Sequence, residues 1–321
     1  MGGAVAEACI RAGTHYVDST GCAGDALAAR QVRDRLDAQA KEAGVALAFF
    51  CGWSSTQVDF GVWQLVRHMR EKHGVPTRRV DVYRWFQGGN CWGGTHLLAY
   101  RGPDGLDGLL TSHGGPFLLG GERQCGVRKE DEDEKSAVQD RYSGMWVSVD
   151  SPPDNVVPRC SCALFDGTPD AYGDDFLYKN WGLFPDKHSG SMALLQNRFL
   201  RSGYEKAVAE EKIPPPGMGA KERLRQESCV TMIFVAEADE PGPDPRKAYC
   251  TMVTGPGGMG DPYECTAVVA VEAALCMLDA LDNCGPEEMA LRSGFGTPAY
   301  HLAHLGFLER LVARGNSYKI E

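Results

Sequence analysis

Six consecutive apolar residues, VALAFF at 45–50, lie between two stretches of helical spacing. Gly44 precedes them, and Gly52 follows after Cys51. A strand with no polar alternation is one covered on both faces, the usual condition of a parallel sheet. Upstream, Ala29, Val32, Leu36, Ala40 and Ala43 recur at steps of three and four, on one face of a helix that Gly44 ends. Downstream, Val58, Val62, Leu65 and Met69 keep the same spacing. Earlier still, AVAEACIRAG reads as a small-residue helix closed by Gly13, and HYVDST as a short strand. Strands alternating with helices predict parallel βαβ units with right-handed crossovers.

The pattern changes after His73. RRVDVYRWF alternates as a strand, and THLLAYRG reads as either a strand or a short helix. Residues 101–228 are rich in Gly, Pro and Asp, with no sustained period. MWVSVD, CVTMIFVAEA and KAYCTMVTG read as strands, and EPGPDP joins the last two as an antiparallel pair. RKEDEDEK at 128–135 reads as a solvated loop. CTAVVAVEAALCML reads as a buried helix, and Val268, Val271, Leu275, Leu278 and Leu281 form one stripe along the helical segment. A further helix begins with Thr297 as cap and Pro298 at its first position. The order is that of an α/β chain: α/β residues 1–76, β-rich mixed residues 77–258, and helices at 259–321 that return to the first part.

With 321 residues, two domains are expected. The net charge of −10, from 33 basic and 43 acidic residues, argues against nucleic acid as a partner. The amino terminus lacks a basic segment followed by an apolar one, and the longest apolar run is too short to span a bilayer. A soluble, cytoplasmic protein is expected, with contact to lipid surfaces at most peripheral. The 12 cysteines are scattered, with no CxxC pair. Cys160 and Cys162 would share one side of a strand, but no second soft-ligand pair accompanies them, so reduced, buried thiols and no metal are expected. His301 and His304 likewise lack further ligands. Neither GxSxG nor HExxH occurs, which removes the case for a hydrolase.

Six stretches, in order, carry a family resemblance: ACIRAGTHYVDSTG, CGWSSTQVDFG, GGNCWGGT, PPPGMGAKERLRQE, GDPYECTAVVAVEAALCML and GFGTPA. Together they resemble the saccharopine dehydrogenase-like oxidoreductases, trans-acting enoyl reductases included. The match is loosest between about 100 and 200. The resemblance implies a Rossmann domain, a mixed-sheet second domain, and NAD(P)-dependent hydride transfer to a C=C, carbonyl or imine of an acyl or lipid-type small molecule, with NADPH the expected cofactor. In this family the glycine-rich phosphate loop lies on the first strand–helix turn, and no such turn precedes these stretches. Residues 1–76 thus read as the C-terminal half of a Rossmann-like domain, 77–258 as an inserted substrate or dimerisation domain, and 259–321 as helices packing back. Cofactor binding by such a chain is expected to be impaired. The alternative is an inactive binding or scaffold protein, or the fragment of an incomplete gene model. A homodimer is the candidate assembly.

The resemblance places cofactor contacts at strand ends, where open α/β sheets bind ligands. Asp18, Ser19 and Gly21 follow one strand, and Gly52, Trp53, Ser54 and Ser55 follow the next. Turn chemistry by Asp and Ser competes with this reading. Ser54, Ser55 or Thr56 is the expected helix cap, with Asp59 completing a capping-box pair with Thr56. Cys22 stands where the family has Glu, Ser54 where it has Asp, and Gln57 where it has Pro. Tyr16, Asp18 and Tyr263 are the candidate catalytic residues. Alternation puts Tyr16 and Asp18 on one face and His15 on the other.

Overall fold

The computed structural model describes residues 2–20, 23–87, 115–120, 137–140, 142–149, 152–192, 206, 208–211, 214–215, 218–256, 259–283 and 293–321. The quoted stretches GGNCWGGT, THLLAYRG and RKEDEDEK lie outside these residues, as does Gly21.

The opening elements alternate as the periodicity requires. Helix α1 (Gly2–Ala12) leads into β1 (Tyr16–Val17), α2 (Ala23–Glu42) into β2 (Ala46–Ala48), and α3 (Ser55–His73) follows. Gly44, at φ 66°, ends the second helical run in a left-handed turn that a side chain would strain. Strand β2 is central: it pairs in parallel with β1 on one side and with β9 (Gly294–Gly296) on the other. That position explains why residues 45–50 are all buried. Ala29, Val32, Leu36 and Ala40 are buried against this sheet, whereas Ala43, one residue past the end of α2, is exposed.

The second sheet has seven strands among the described residues, in the order β10-β8-β7-β3-β6-β5-β4. At its centre, β3 (Thr77–Gln87) pairs antiparallel with β7 (Cys229–Ala238) and parallel with β6 (Leu177–Phe184). On one flank β8 (Lys247–Thr254) pairs with β7, as the EPGPDP turn predicts. On the other lie β5 (Trp146–Val149) and β4 (Val138–Gln139). The last strand, β10 (Asn316–Ile320), closes the β8 edge. Neither β9 nor β10 was expected; each is too short to show a period.

Helix α3 lies between the two sheets. Val58, Val62, Leu65 and Met69 pack on Met232 and Phe234 of β7 and on Cys250 and Met252 of β8. Phe60 instead joins Ala46 and Ala48 of β2. Gly61 lets the helix approach β7 closely: a Cβ there would lie 2.3 Å from the Phe234 ring.

Helix α4 (Pro152–Leu164) corrects the reading of Cys160 and Cys162 as strand residues. Two positions on a helix turn about 200°, so the two thiols point into different cores. Cys160 packs with α2 and β2, and Cys162 with α3 and β3. None of the eight described cysteines forms a disulfide.

After α5 (Glu222–Glu227), helix α6 (Pro262–Asn283) covers the parallel sheet, followed by α7 (Pro298–Leu302) and α8 (Phe307–Ala313). The apolar stripe of α6 is turned outward: Val271 is 58% and Leu278 55% exposed. The buried side is Cys265, Val269, Ala273, Cys276 and Met277, packed with β2 and α8. Small side chains let α6 sit close to the sheet, and its buried Glu272 is held by Arg310 and Arg314 of the α8 segment. Thr297 does cap α7, accepting the Tyr300 N–H at 3.4 Å. No described helix is long and apolar enough to cross a membrane.

Candidate active site

At the carboxyl end of β1, Tyr16 and Asp18 share a face as alternation requires. Tyr16 Oη donates to Asp18 Oδ2 at 2.8 Å, and Thr20 donates its N–H and its hydroxyl to Oδ1 at 3.0 and 2.5 Å. Burial raises the Asp18 carboxyl above the usual range, against the pull of these bonds. Burial, and then the neighbouring Asp18, also push the Tyr16 phenol well up, so the proton stays on tyrosine at neutral pH. His15, on the opposite face, accepts the Ala46 N–H through Nδ1 at 2.9 Å. Burial lowers its pKa and favours the neutral ring this bond needs. Its role is to tie β1 to β2.

The β2 end lies against the β1 end: Cys51 N donates to Asp18 O at 2.8 Å. Gly52 is closely packed here by the protein itself, because a Cβ would meet Ser19 O at 3.3 Å and Thr266 Cγ2 at 3.4 Å. Trp53 N donates to Thr266 Oγ1 at 3.1 Å, which brings the start of α6 into the same place. Tyr263, three residues before Thr266, is 41% exposed on the first turn of α6. Asp261 caps α6, accepting the N–H groups of Tyr263 and Glu264 at 3.0 Å each.

The turn between β2 and α3 is strained. Phe50 has φ 65° and Ser54 φ 73°, two non-glycine residues at positive φ within five positions. Such conformations cost about 1–3 kcal/mol each and persist only where surroundings over-determine them. Here the surroundings are a buried polar cluster. Asp154, in the first turn of α4, accepts the Ser54 hydroxyl at 2.5 Å, the Ser55 hydroxyl at 3.4 Å and Arg84 Nη2 at 2.7 Å. Arg84, from β3, also donates to Ser54 Oγ at 2.6 Å, and its guanidinium lies 5.6 Å over the Trp53 ring. Phe86 meets the same ring at 5.4 Å.

The α3 capping expectation is corrected. Ser54 precedes the helix but its side chain makes no cap bond. Thr56 donates to Phe50 O at 3.2 Å, and Asp59 turns away from it altogether. Asp59 accepts the Ser161 hydroxyl at 2.5 Å and the Ala299 N–H at 2.8 Å, joining α3 to α4 and α7. The residues sequence reasoning missed at this site are Arg84, Asp154 and Thr266. Only Asp154 left a local trace, since SPPDN is a helix-start pattern with proline in the first turn.

The site therefore gathers two parallel strand ends, the start of α6 and one flank of the mixed sheet. No family model matches the chain. Trans-acting enoyl reductases of Mycobacterium bovis (strain BCG / Pasteur 1173P2) and Mycobacterium tuberculosis (strain ATCC 25618 / H37Rv) each align with it over 344 residues at 24% identity. Those alignments take in 96% of this chain and 74% of either relative. The chain resembles the trans-acting enoyl reductases. The saccharopine dehydrogenase-like resemblance read from the six stretches agrees with this, and the distant relatives are oxidoreductases. Among solved structures, the apo histidine-tagged saccharopine dehydrogenase (L-Glu forming) of Saccharomyces cerevisiae aligns with TM-score 0.47 and 12% identity, covering 99% of this chain and 82% of that one. This chain is an α/β protein with a parallel and a mixed sheet, and Asp18 and Trp53 follow neighbouring strands of the parallel one.

Proposed function

We propose that the chain is an NAD(P)-dependent oxidoreductase, reducing a C=C, carbonyl or imine of an acyl or lipid-type small molecule, with NADPH as the reductant. The observation that carries this reading is the strained Phe50–Ser54 turn at the end of the central parallel strand, held by Asp154 and Arg84. Stored backbone strain at the ligand-facing end of such a sheet is what a pre-organised site uses.

The residues present fit one end of a dinucleotide. Trp53 offers an aromatic surface, and the exposed Ser19 offers a polar group. Among the described residues, Arg84 does not serve the pyrophosphate, because it is taken up by Asp154 and Ser54. When bound, the reduced nicotinamide would supply the hydride. The chain's own part is to seat the ring near Trp53 and keep Asp18 oriented through Tyr16 and Thr20. Tyr16, with its raised pKa, serves as a positioning partner for Asp18 rather than an acid matched to neutral pH. Tyr263, 41% exposed, is assigned in this reading to contact with substrate.

An NADPH titration followed by tryptophan fluorescence tests the proposal. Saturable binding on the order of micromolar, weakened about tenfold or more in Trp53→Ala and Asp18→Asn, is expected. Absence of saturable binding overturns the proposal for this chain and favours the binding or scaffold reading.

A further inference from the structure

At the opposite end of β3 from Arg84 lies a cavity of about 450 Å³, bordered by β3, β7, the start of β8 and the turn carrying Pro243. Its border bears three cations, Arg78, Arg79 and Lys247, against one carboxylate, Glu237. The spacing of Arg79 and Arg84 along the strand, five residues at about 3.3 Å each, separates this place from the strand-end site by roughly 17 Å.

The sequence builds this concentration of charge through an irregularity. In the β3–β7 pairing, Thr77 opposes Ala238 and Arg79 opposes Glu237, so β3 carries one extra residue, Arg78. A bulge of this kind re-aims a side chain, and here both arginines border the cavity. The two are not equivalent. Arg79 is bound to Asp81, at 2.5 and 2.8 Å. The Arg78 side chain, partly exposed, makes no hydrogen bond or ion pair with any other described residue. Lys247 is bonded to Asp244 at 2.7 Å, but that carboxylate is 85% exposed and holds it weakly. Glu237 is already engaged, as acceptor of the Tyr142 hydroxyl, and sits cross-strand between Arg79 and Lys247. Its charge is therefore partly compensated before any ligand arrives.

We infer that this cavity is a binding site for a small oxyanion, a phosphate or carboxylate group, taken by the Arg78 guanidinium with Lys247 as the second cation. An arginine fork matches either oxyanion through paired N–H donors. The site is separate from the proposed reductase site and does not depend on it.

Isothermal titration of the full chain with inorganic phosphate, and separately with acetate, tests this at constant ionic strength set by sodium chloride. Saturable binding of one or both, on the order of millimolar, is expected. Which anion binds more tightly assigns the natural group as phosphate or carboxylate. Arg78→Ala should weaken binding about tenfold or more, and Glu237→Gln should strengthen it, since glutamine keeps the acceptor for Tyr142 but drops the opposing charge. Arg78→Ala should leave the melting temperature and NADPH binding unchanged. Equal affinity in Arg78→Ala and the parent chain, or no heat from either anion beyond the chloride control, overturns the inference.

Discussion

Asp59, on the second turn of α3, accepts the backbone N–H of Ala299 at 2.8 Å across 240 residues of sequence. Its other oxygen takes the Ser161 hydroxyl, which in turn lies 2.5 Å from Thr297 Oγ1. Three helices far apart in the chain thus meet on one buried carboxyl group. Burial pushes its pKa from 3.8 up to about 7, against the opposing pull of its hydrogen bonds. The folded state therefore binds this proton more tightly than the unfolded state. Its contribution to stability is complete below about pH 4 and is lost as pH rises through about 7. Urea denaturation should show a fall over that window of at most on the order of 4 kcal/mol. Asp59→Asn cannot ionise and should flatten the profile; an unchanged slope in that variant would refute the assignment.

The Arg84–Asp154 pair is buried on both sides, with side chains 2% and 4% exposed. Removing one partner leaves an uncompensated charge. Asp154→Ala should cost about 3–5 kcal/mol in chemical denaturation. Arg84→Met combined with Asp154→Leu should cost less than Asp154→Ala alone, because no charge then stays buried. A double variant at least as unstable as the single one would contradict this account of the cluster.

Gly61→Ala should lose about 1–3 kcal/mol by overpacking, since its methyl would fall on the Phe234 ring. Phe234→Leu should offset part of that loss. A double-mutant cycle measures the coupling, and strict additivity would mean that the helix and β7 do not meet at this point.

The orientation of α6 is checked by comparing neighbours. Leu278→Gln, on the exposed side, should change stability by no more than about 0.5 kcal/mol. Met277→Ala, 3% exposed in the parent, should cost about 2–5 kcal/mol. The reverse ranking would restore the orientation that the apolar stripe suggests.

These contrasts mark where local pattern stops being informative. Val58, Val62, Leu65 and Met69 could be read because one face of α3 is uniformly apolar and the buried side follows from spacing. Helix α6 has apolar residues nearly all round, so periodicity finds two faces and size suggests the wrong one. What decides is close packing, and Ala273 and Cys276 fit against the sheet where leucines would hold the helix off. The strand ends were readable from Asp18 through Trp53 because glycine and small polar residues cluster there. Arg84 and Asp154 were not, as their pairing spans 70 residues and neither carries its partner's signature locally. Asp59 reads as a cap because Thr56 stands three residues before it, a local spacing that says nothing of Ser161 and Ala299, the distant partners that take it instead. The start of α3 is buried, and other elements supply the partners.

Phe60 and Val62 are two residues apart on α3 yet belong to different cores. The helix acts as a single beam with a sheet fastened to either side. Swinging the two sheets apart would break both fastenings together, so the molecule is not built to open like a jaw. For the proposed site at Asp18 and Trp53, this means that a ligand would enter along the strand ends rather than through a parting of the sheets.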